Sequence, residues 1–225
     1  MSEIFIIAGP PGIGKSTMGS KYIPSHLDLL NEDDMRLKYK EKGFVDYNEY
    51  SIHRVADIIK GKLIRNEDFA LELNLGFQHQ YDYILSAKRF NAENKLKLIF
   101  FYCDNLSLCL DRAKKRYENG LHLVKPDIIT QMYNNTIPLL KSNFASVDSI
   151  VFINASMEND FIFLAKYDRE NNNLSMFENS GEWFRLHVEP FLYEQIKILP
   201  SKKMNLLPWQ SEKGDNEPRK KGRGR

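Results

Sequence analysis

The sequence has two cysteines in 225 residues, Cys103 and Cys109, and they stand six apart. No C-x-x-C pair and no zinc-ligand spacing is present, which excludes a disulfide scaffold and a cysteine-built metal centre. Both thiols are expected to be buried and free, in keeping with a reducing cytoplasm. No apolar run reaches the roughly 18 residues that a membrane-spanning helix needs. Charge of one sign is scarce too: 32 Lys and Arg balance 30 Asp and Glu, for a net charge of +2. That balance gives no general field for attracting nucleic acid. Met1-Ser2-Glu3 is not a basic region leading into an apolar stretch, so no leader is expected and the chain reads as cytoplasmic. No internal repeat is visible. What remains is ordinary globular composition, 42% hydrophobic and 28% charged, and length enough for one sizeable α/β core.

Against that background one motif stands out. Gly9-Pro10-Pro11-Gly12-Ile13-Gly14-Lys15-Ser16-Thr17 is a complete phosphate-binding loop. Ile4 to Ala8 comes directly before it and reads as a buried parallel strand, continuous, apolar and rich in branched residues. Lys15 to Tyr22 reads as a short helix ending near Pro24. Strand, glycine loop and helix are the context that the motif requires. Backbone N–H groups of the loop form an anion cradle. Lys15 would reach the β- and γ-phosphates of ATP, and Ser16 would hold Mg²⁺ through its hydroxyl.

The rest of the chain alternates between strands and helices. His26–Leu30, Phe69–Leu73, Leu96–Cys103 and Ser149–Ile153 read as four further strands. Helices are expected over Asp34–Lys42, Tyr47–Asn66, Gln78–Asn94, Leu106–Glu118 and Pro126–Phe144. Ile52, Val55, Ala56, Ile59 and Leu63 would mark the inward stripe of the second of these, and Pro138 would kink the last. This pattern predicts an α/β fold: a P-loop NTPase with a doubly wound, five-stranded parallel sheet and helices on both faces. Residues 1–155 form the core on this reading. Residues 156–200 add a small β-hairpin and helix, turned at Arg169 to Asn173. Residues 201–225 are a basic tail, expected to be disordered; nucleic acid is not the expected partner and would be reached only through that tail.

Right-handed crossovers place the loops after the parallel strands along one edge, where α/β sheets bind ligands. That rim collects Gly9 to Ser16, Asn31 to Asp34, Glu72 to Gly76 and Asp104. Asp33 or Asp34 would accept the proton of an acceptor hydroxyl. Asp33 is the stronger base candidate, because Asp34 also suits the cap of the following helix. Asp104 reads as the cap of the helix after the fourth strand. Arg112 and Arg116 lie four apart on that helix and suit a lid that closes guanidinium groups over phosphates. Glu72, Asn74 and Asp34 are the candidate acceptor-side contacts.

This order of motifs resembles the zeta-toxin family of P-loop kinases, including the group described as predicted ABC-type ATPases. The resemblance spans about residues 4–155. It rests on the phosphate loop, Asn31-Glu32-Asp33, Phe69-Ala70-Leu71-Glu72, the helix with Arg112 and Arg116, Gly120-Leu121-His122-Leu123-Val124, and the helix bearing Tyr133. It implies transfer of the ATP γ-phosphate to a hydroxyl of a small molecule, with a UDP-activated amino sugar as acceptor and an antitoxin protein as partner. Asp33 matches the family's base, Arg112 or Arg116 its phosphate-gripping arginines, and Glu72 its substrate-side glutamate. The chain departs from the pattern at Leu73-Asn74, Leu121 and Met132. Two other readings stand beside it: a nucleotide-dependent switch ATPase, and a polynucleotide kinase acting on nucleic-acid ends.

Overall fold

Ile4, Ile6, Ile7 and Ala8 are all at most 1% exposed, because the strand they build, β1 (Glu3–Ala8), has a parallel neighbour on each edge. The structure, a computed structural model, describes residues 1–119, 123–156, 161–177 and 181–195. Gly120, Leu121 and His122 of the expected lid, and the whole tail 201–225, lie outside the described residues. After β1 the chain forms α1 (Lys15–Met18) and a 3-10 turn (Gly19–Tyr22). Then come β2 (Leu29–Leu30), α2 (Glu32–Glu41), α3 (Tyr47–Ile64), β3 (Phe69–Leu73) and α4 (Gln78–Phe90). The second half holds β4 (Lys95–Tyr102), α5 (Leu106–Glu118), α6 (Pro126–Asn143) and β5 (Ser149–Asn154). It ends with β6 (Ile162–Asp168), β7 (Asn173–Met176), α7 (Glu182–His187) and α8 (Glu189–Gln195).

The sheet order is β2-β3-β1-β4-β5-β6-β7. The first five strands are parallel, as the alternating pattern requires, with helices around them. The β6–β7 hairpin pairs antiparallel with β5 and continues the same sheet at its edge. Aromatic side chains fasten this addition. Tyr22 stands edge-on to both Phe101 and Phe163, at 5.4 and 5.3 Å. Trp183 packs on Tyr102 at 4.9 Å and Phe184 on Phe152 at 5.2 Å. Such pairs add roughly 0.5–1.5 kcal/mol each beyond the apolar area they bury.

Several boundaries differ from expectation, for local reasons. α2 starts at Glu32, and Asn31 caps it by accepting from Asp33 N at 2.9 Å. Asp34 is therefore not the cap. α5 is capped by Asn105, which accepts from Leu108 N at 3.0 Å, so Asp104 is not a cap either. In each case a neighbouring Asn, three residues before Asp34 or one after Asp104, meets the free N–H groups instead. Ile52 was expected inward but is 51% exposed. α3 packs against α2, which itself buries no residue, so the apolar stripe is only half covered. The helix α6 continues through Pro138.

Strand register then decides which polar groups meet. Leu30 pairs with Leu71, which pairs with Ile6 on its other side. One step further along the rim, Asn31 follows Leu30 and Glu72 follows Leu71 beside Ile7. The next inward-facing position on β3's tip is Asn74, just past the Ala8–Leu73 pair and level with the start of the glycine loop. The substitution Phe184→Ala removes a fully buried ring from the β5 face. We expect it to cost about 3–5 kcal/mol and to lower the single thermal unfolding transition of the whole chain. A core transition left in place, with only a minor early melt, would show the C-terminal helices to be energetically separate.

Candidate active site

The glycine loop is clamped on two sides. Gly12 has φ +78°, and a Cβ placed there would stand 2.2 Å from the Cys109 carbonyl oxygen of α5. Gly14 has φ +105°, and its Cβ would come within 2.9 Å of the Phe161 ring at the entry to β6. Only glycine combines these φ values with such close approach. The loop thus lies between a helix after β4 and the first residue of the C-terminal hairpin.

Lys15 opens α1 and is only 4% exposed. Its ammonium donates to Gly9 O at 2.8 Å, Pro10 O at 3.0 Å and Asn74 Oδ1 at 2.9 Å. All three ammonium protons are therefore placed. Burial nevertheless pushes its pKa down from 10.5 to about 8, against the opposing pull of Glu72. Arg116 lowers it further, while Cys109 and Asp33 raise it.

Ser16 donates to Glu72 Oε1 at 2.9 Å, and Asn31 Nδ2 donates to Glu72 Oε2 at 2.8 Å. Glu72 thus faces the phosphate loop. One hydroxyl and one carboxylate beside a phosphate cradle suit Mg²⁺, which takes few protein oxygens and fills its octahedron with phosphate and water. Among the described residues no group of three or more His, Cys, Asp or Glu side chains offers a site independent of phosphate.

On the opposite wall, Asp33 Oδ1 accepts from Arg36 Nη1 at 2.5 Å, and Arg36 Nη2 pairs with Glu32. Arg116 Nη2 reaches across from α5 to within 3.8 Å of Asp33 Oδ2. Asp34 is exposed, and partial burial, then Asp33, hold its carboxyl above the usual range. Arg112 behaves differently from Arg116: its Nη1 donates to Ile13 O and Ala155 O, each at 3.3 Å. It braces the loop against the end of β5. Over the loop lies a cavity of about 270 Å³ lined by Lys15, Ser16, Glu72, Arg112, Lys115 and Arg116, among others.

The candidate residues from the sequence therefore fall into two groups. Lys15, Ser16, Thr17, Glu72, Arg112 and Arg116 line one cavity. Asp33 joins them through Arg116, and Asn74 through Lys15. Arg36, Lys115 and Phe161 were not singled out. Lys115 was legible, because 112, 115 and 116 share one helix face. Arg36 was legible as the i+3 and i+4 partner of Asp33 and Glu32. Phe161 gave no local signal; the antiparallel turn of the sheet brings it to Gly14.

No family model matches the sequence, and no curated protein matches it. Solved structures do. The AvrRxo1-ORF1:-ORF2 structure with ATP superposes with a TM-score of 0.58 at 13% identity, over 87% of this chain and 63% of that one. The PezAT chromosomal toxin–antitoxin system of Streptococcus pneumoniae gives 0.56 at 12% identity, over 88% of both chains. The chain has the fold of the zeta-toxin-like P-loop kinases. The present chain spans about two thirds of the AvrRxo1 chain, at 63%. Among the described residues no helix is long and apolar enough to cross a membrane.

The lowered pKa of Lys15 has a measurable sign. Between about 8 and 10.5 the folded chain binds fewer protons here than the unfolded chain, so this group adds stability as pH rises through that window. Phosphate binding has the opposite sense, because it needs the ammonium. ATP affinity, followed by calorimetric titration, should hold near neutrality and fall as pH rises through about 8.

Proposed function

We propose that this chain is an ATP- and Mg²⁺-dependent kinase that transfers the γ-phosphate to a hydroxyl of a small molecule. The observation that supports it most is the 3.8 Å approach of Arg116 to Asp33. That approach joins a phosphate-side cation to a carboxylate on the facing wall, above the loop that carries Lys15 and Ser16. A protein that only held nucleotide would have no use for the second wall.

The roles follow from position. Loop N–H groups and Lys15 bind the β- and γ-phosphates. Asp33 takes the proton of the acceptor hydroxyl as the acceptor oxygen bonds to the γ-phosphorus. The bond from that phosphorus to the β–γ bridging oxygen breaks, and ADP leaves. Arg116, beside Asp33, offsets the charge that spreads over the migrating phosphoryl group. Arg112 keeps the loop in register with β5, and Lys115 adds a further cation. Ser16 and Glu72 would hold Mg²⁺, which when bound supplies charge neutralisation at the phosphates. Arg36 fixes the orientation of Asp33, so the rate gain is chiefly positioning and electrostatics.

The acceptor and the partner enter on likeness to the fold. We take a UDP-amino sugar as the leading acceptor class and an antitoxin-type protein as the leading partner, since PezAT is described as a toxin–antitoxin system. Residues 1–155 would carry the chemistry, with 156–200 supplying the Phe161 wall. Asp34 would lie at the acceptor's edge of the site.

Labelled ATP and Mg²⁺ incubated with UDP-sugars, nucleosides and oligonucleotides test this directly. Label should move to a small-molecule hydroxyl. Phosphate release alone would replace the reading with a switch ATPase, and transfer to an oligonucleotide that depends on residues 201–225 would replace it with a polynucleotide kinase. Asp33→Ala should keep ATP binding and lose transfer by about 10²–10⁴-fold; turnover at the wild-type rate would remove Asp33 from the role of base. Glu72→Gln should raise the Mg²⁺ concentration needed for half-maximal rate while leaving metal-free nucleotide binding close to wild type.

A further inference from the structure

β3 ends in Glu72-Leu73 and is followed at once by Asn74, so strand periodicity carried one residue on sends 72 and 74 to the same side. Both meet consecutive residues of the phosphate loop. Glu72 accepts from Ser16, and Asn74 accepts from Lys15. Asn74, a candidate acceptor-side contact from the sequence, is thus hydrogen-bonded to the loop lysine. The lysine in question is 4% exposed, and two of its three acceptors are carbonyl oxygens of the loop itself, Gly9 O and Pro10 O. The third, Asn74 Oδ1, comes from the residue just past the end of β3 and is the one side-chain acceptor of the set. A phosphate that takes up the Lys15 ammonium competes with these oxygens for its three protons.

We infer that Asn74 is a positioning residue for Lys15: it holds the ammonium against the loop until a phosphate replaces it, and so sets the nucleotide affinity of the cleft. The inference rests on the nucleotide-binding reading above. Its physical basis is the cost of leaving a buried cation without acceptors. In the nucleotide-free chain Asn74 meets that cost with a neutral oxygen. A carboxylate there would hold Lys15 more strongly and would also repel the incoming phosphate. A side chain without an acceptor would leave the ammonium less satisfied and readier to pair with phosphate. Asparagine thus sits between a lock and an open position. The charged and titratable groups around Lys15 are Glu72 on β3, Arg116 and Cys109 on α5, and Asp33 on α2. None of them is altered by substitution at residue 74.

The test uses the full chain, ATP and Mg²⁺, with dissociation constants measured by calorimetry at neutral pH. Wild type, Lys15→Ala, Asn74→Ala, Asn74→Asp and the double variant Lys15→Ala/Asn74→Ala are compared, each checked for folding by thermal unfolding. Asn74→Ala should bind ATP several-fold to about tenfold more tightly. Asn74→Asp should bind about tenfold or more weakly. With Lys15 replaced by alanine, the gain from Asn74→Ala should vanish, which is the signature of action through Lys15. Equal weakening by both single variants, or a change at residue 74 that persists without Lys15, would overturn the inference and leave Asn74 a structural residue. Wild-type protein that fails to bind ATP at all would instead overturn the nucleotide reading, and this inference with it.

Discussion

A single buried ammonium organises the functional rim. Lys15 is almost wholly enclosed, and a cation in that position must be given acceptors or lose its proton. The loop supplies two carbonyl oxygens and β3 supplies one amide oxygen. Meeting this requirement fixes the height of the loop over β1, and with it the reach of Ser16 to Glu72. It also explains why the loop is pinned from two directions by α5 and Phe161. Any slack there would pull the lysine away from its acceptors.

The facing wall follows a different logic. Asp33 is set between two guanidinium groups, Arg36 on its own helix and Arg116 from across the cleft. Exposed pairs of this kind add little to stability, roughly 0.2–1 kcal/mol each. Their effect is directional: each oxygen of the carboxylate has its own partner. Arg36 stays on the same turn of helix whatever the cleft contains, while Arg116 belongs to α5 and lines the cavity beside the glycine loop. The two arginines named from the sequence thereby separate. Arg112 is occupied with backbone oxygens of the loop and of the residue after β5, and Arg116 is the one directed at Asp33.

Much of this was legible because its causes are local. A glycine loop behind an apolar strand, and apolar strands alternating with amphipathic helices, need no distant partner to be recognised. Caps were harder. Asn31 and Asn105 preempted Asp34 and Asp104 because cap choice turns on where the preceding strand stops, to within a residue or two. Ile52 misled because helical periodicity marks an apolar stripe without saying whether anything covers it. The roles of Asn74 and Phe161 were out of reach from the sequence. Asn74 gains its lysine through parallel register between β1 and β3, and Phe161 reaches Gly14 through the antiparallel return of β6. Neither register nor return direction is written in the neighbouring residues.

The contact between Gly14 and Phe161 also bears on how the molecule comes into being. The glycine loop leaves the ribosome well before the ring that walls it, because Phe161 follows Gly14 by 147 residues. Segments emerge at about 5–20 residues per second, so the nascent chain passes several seconds with its parallel strands forming and its cleft open on one side. Phe161, at the entry to β6, completes the lining of the pocket. A chain terminated before Phe161 would carry the complete loop motif without the ring that walls it.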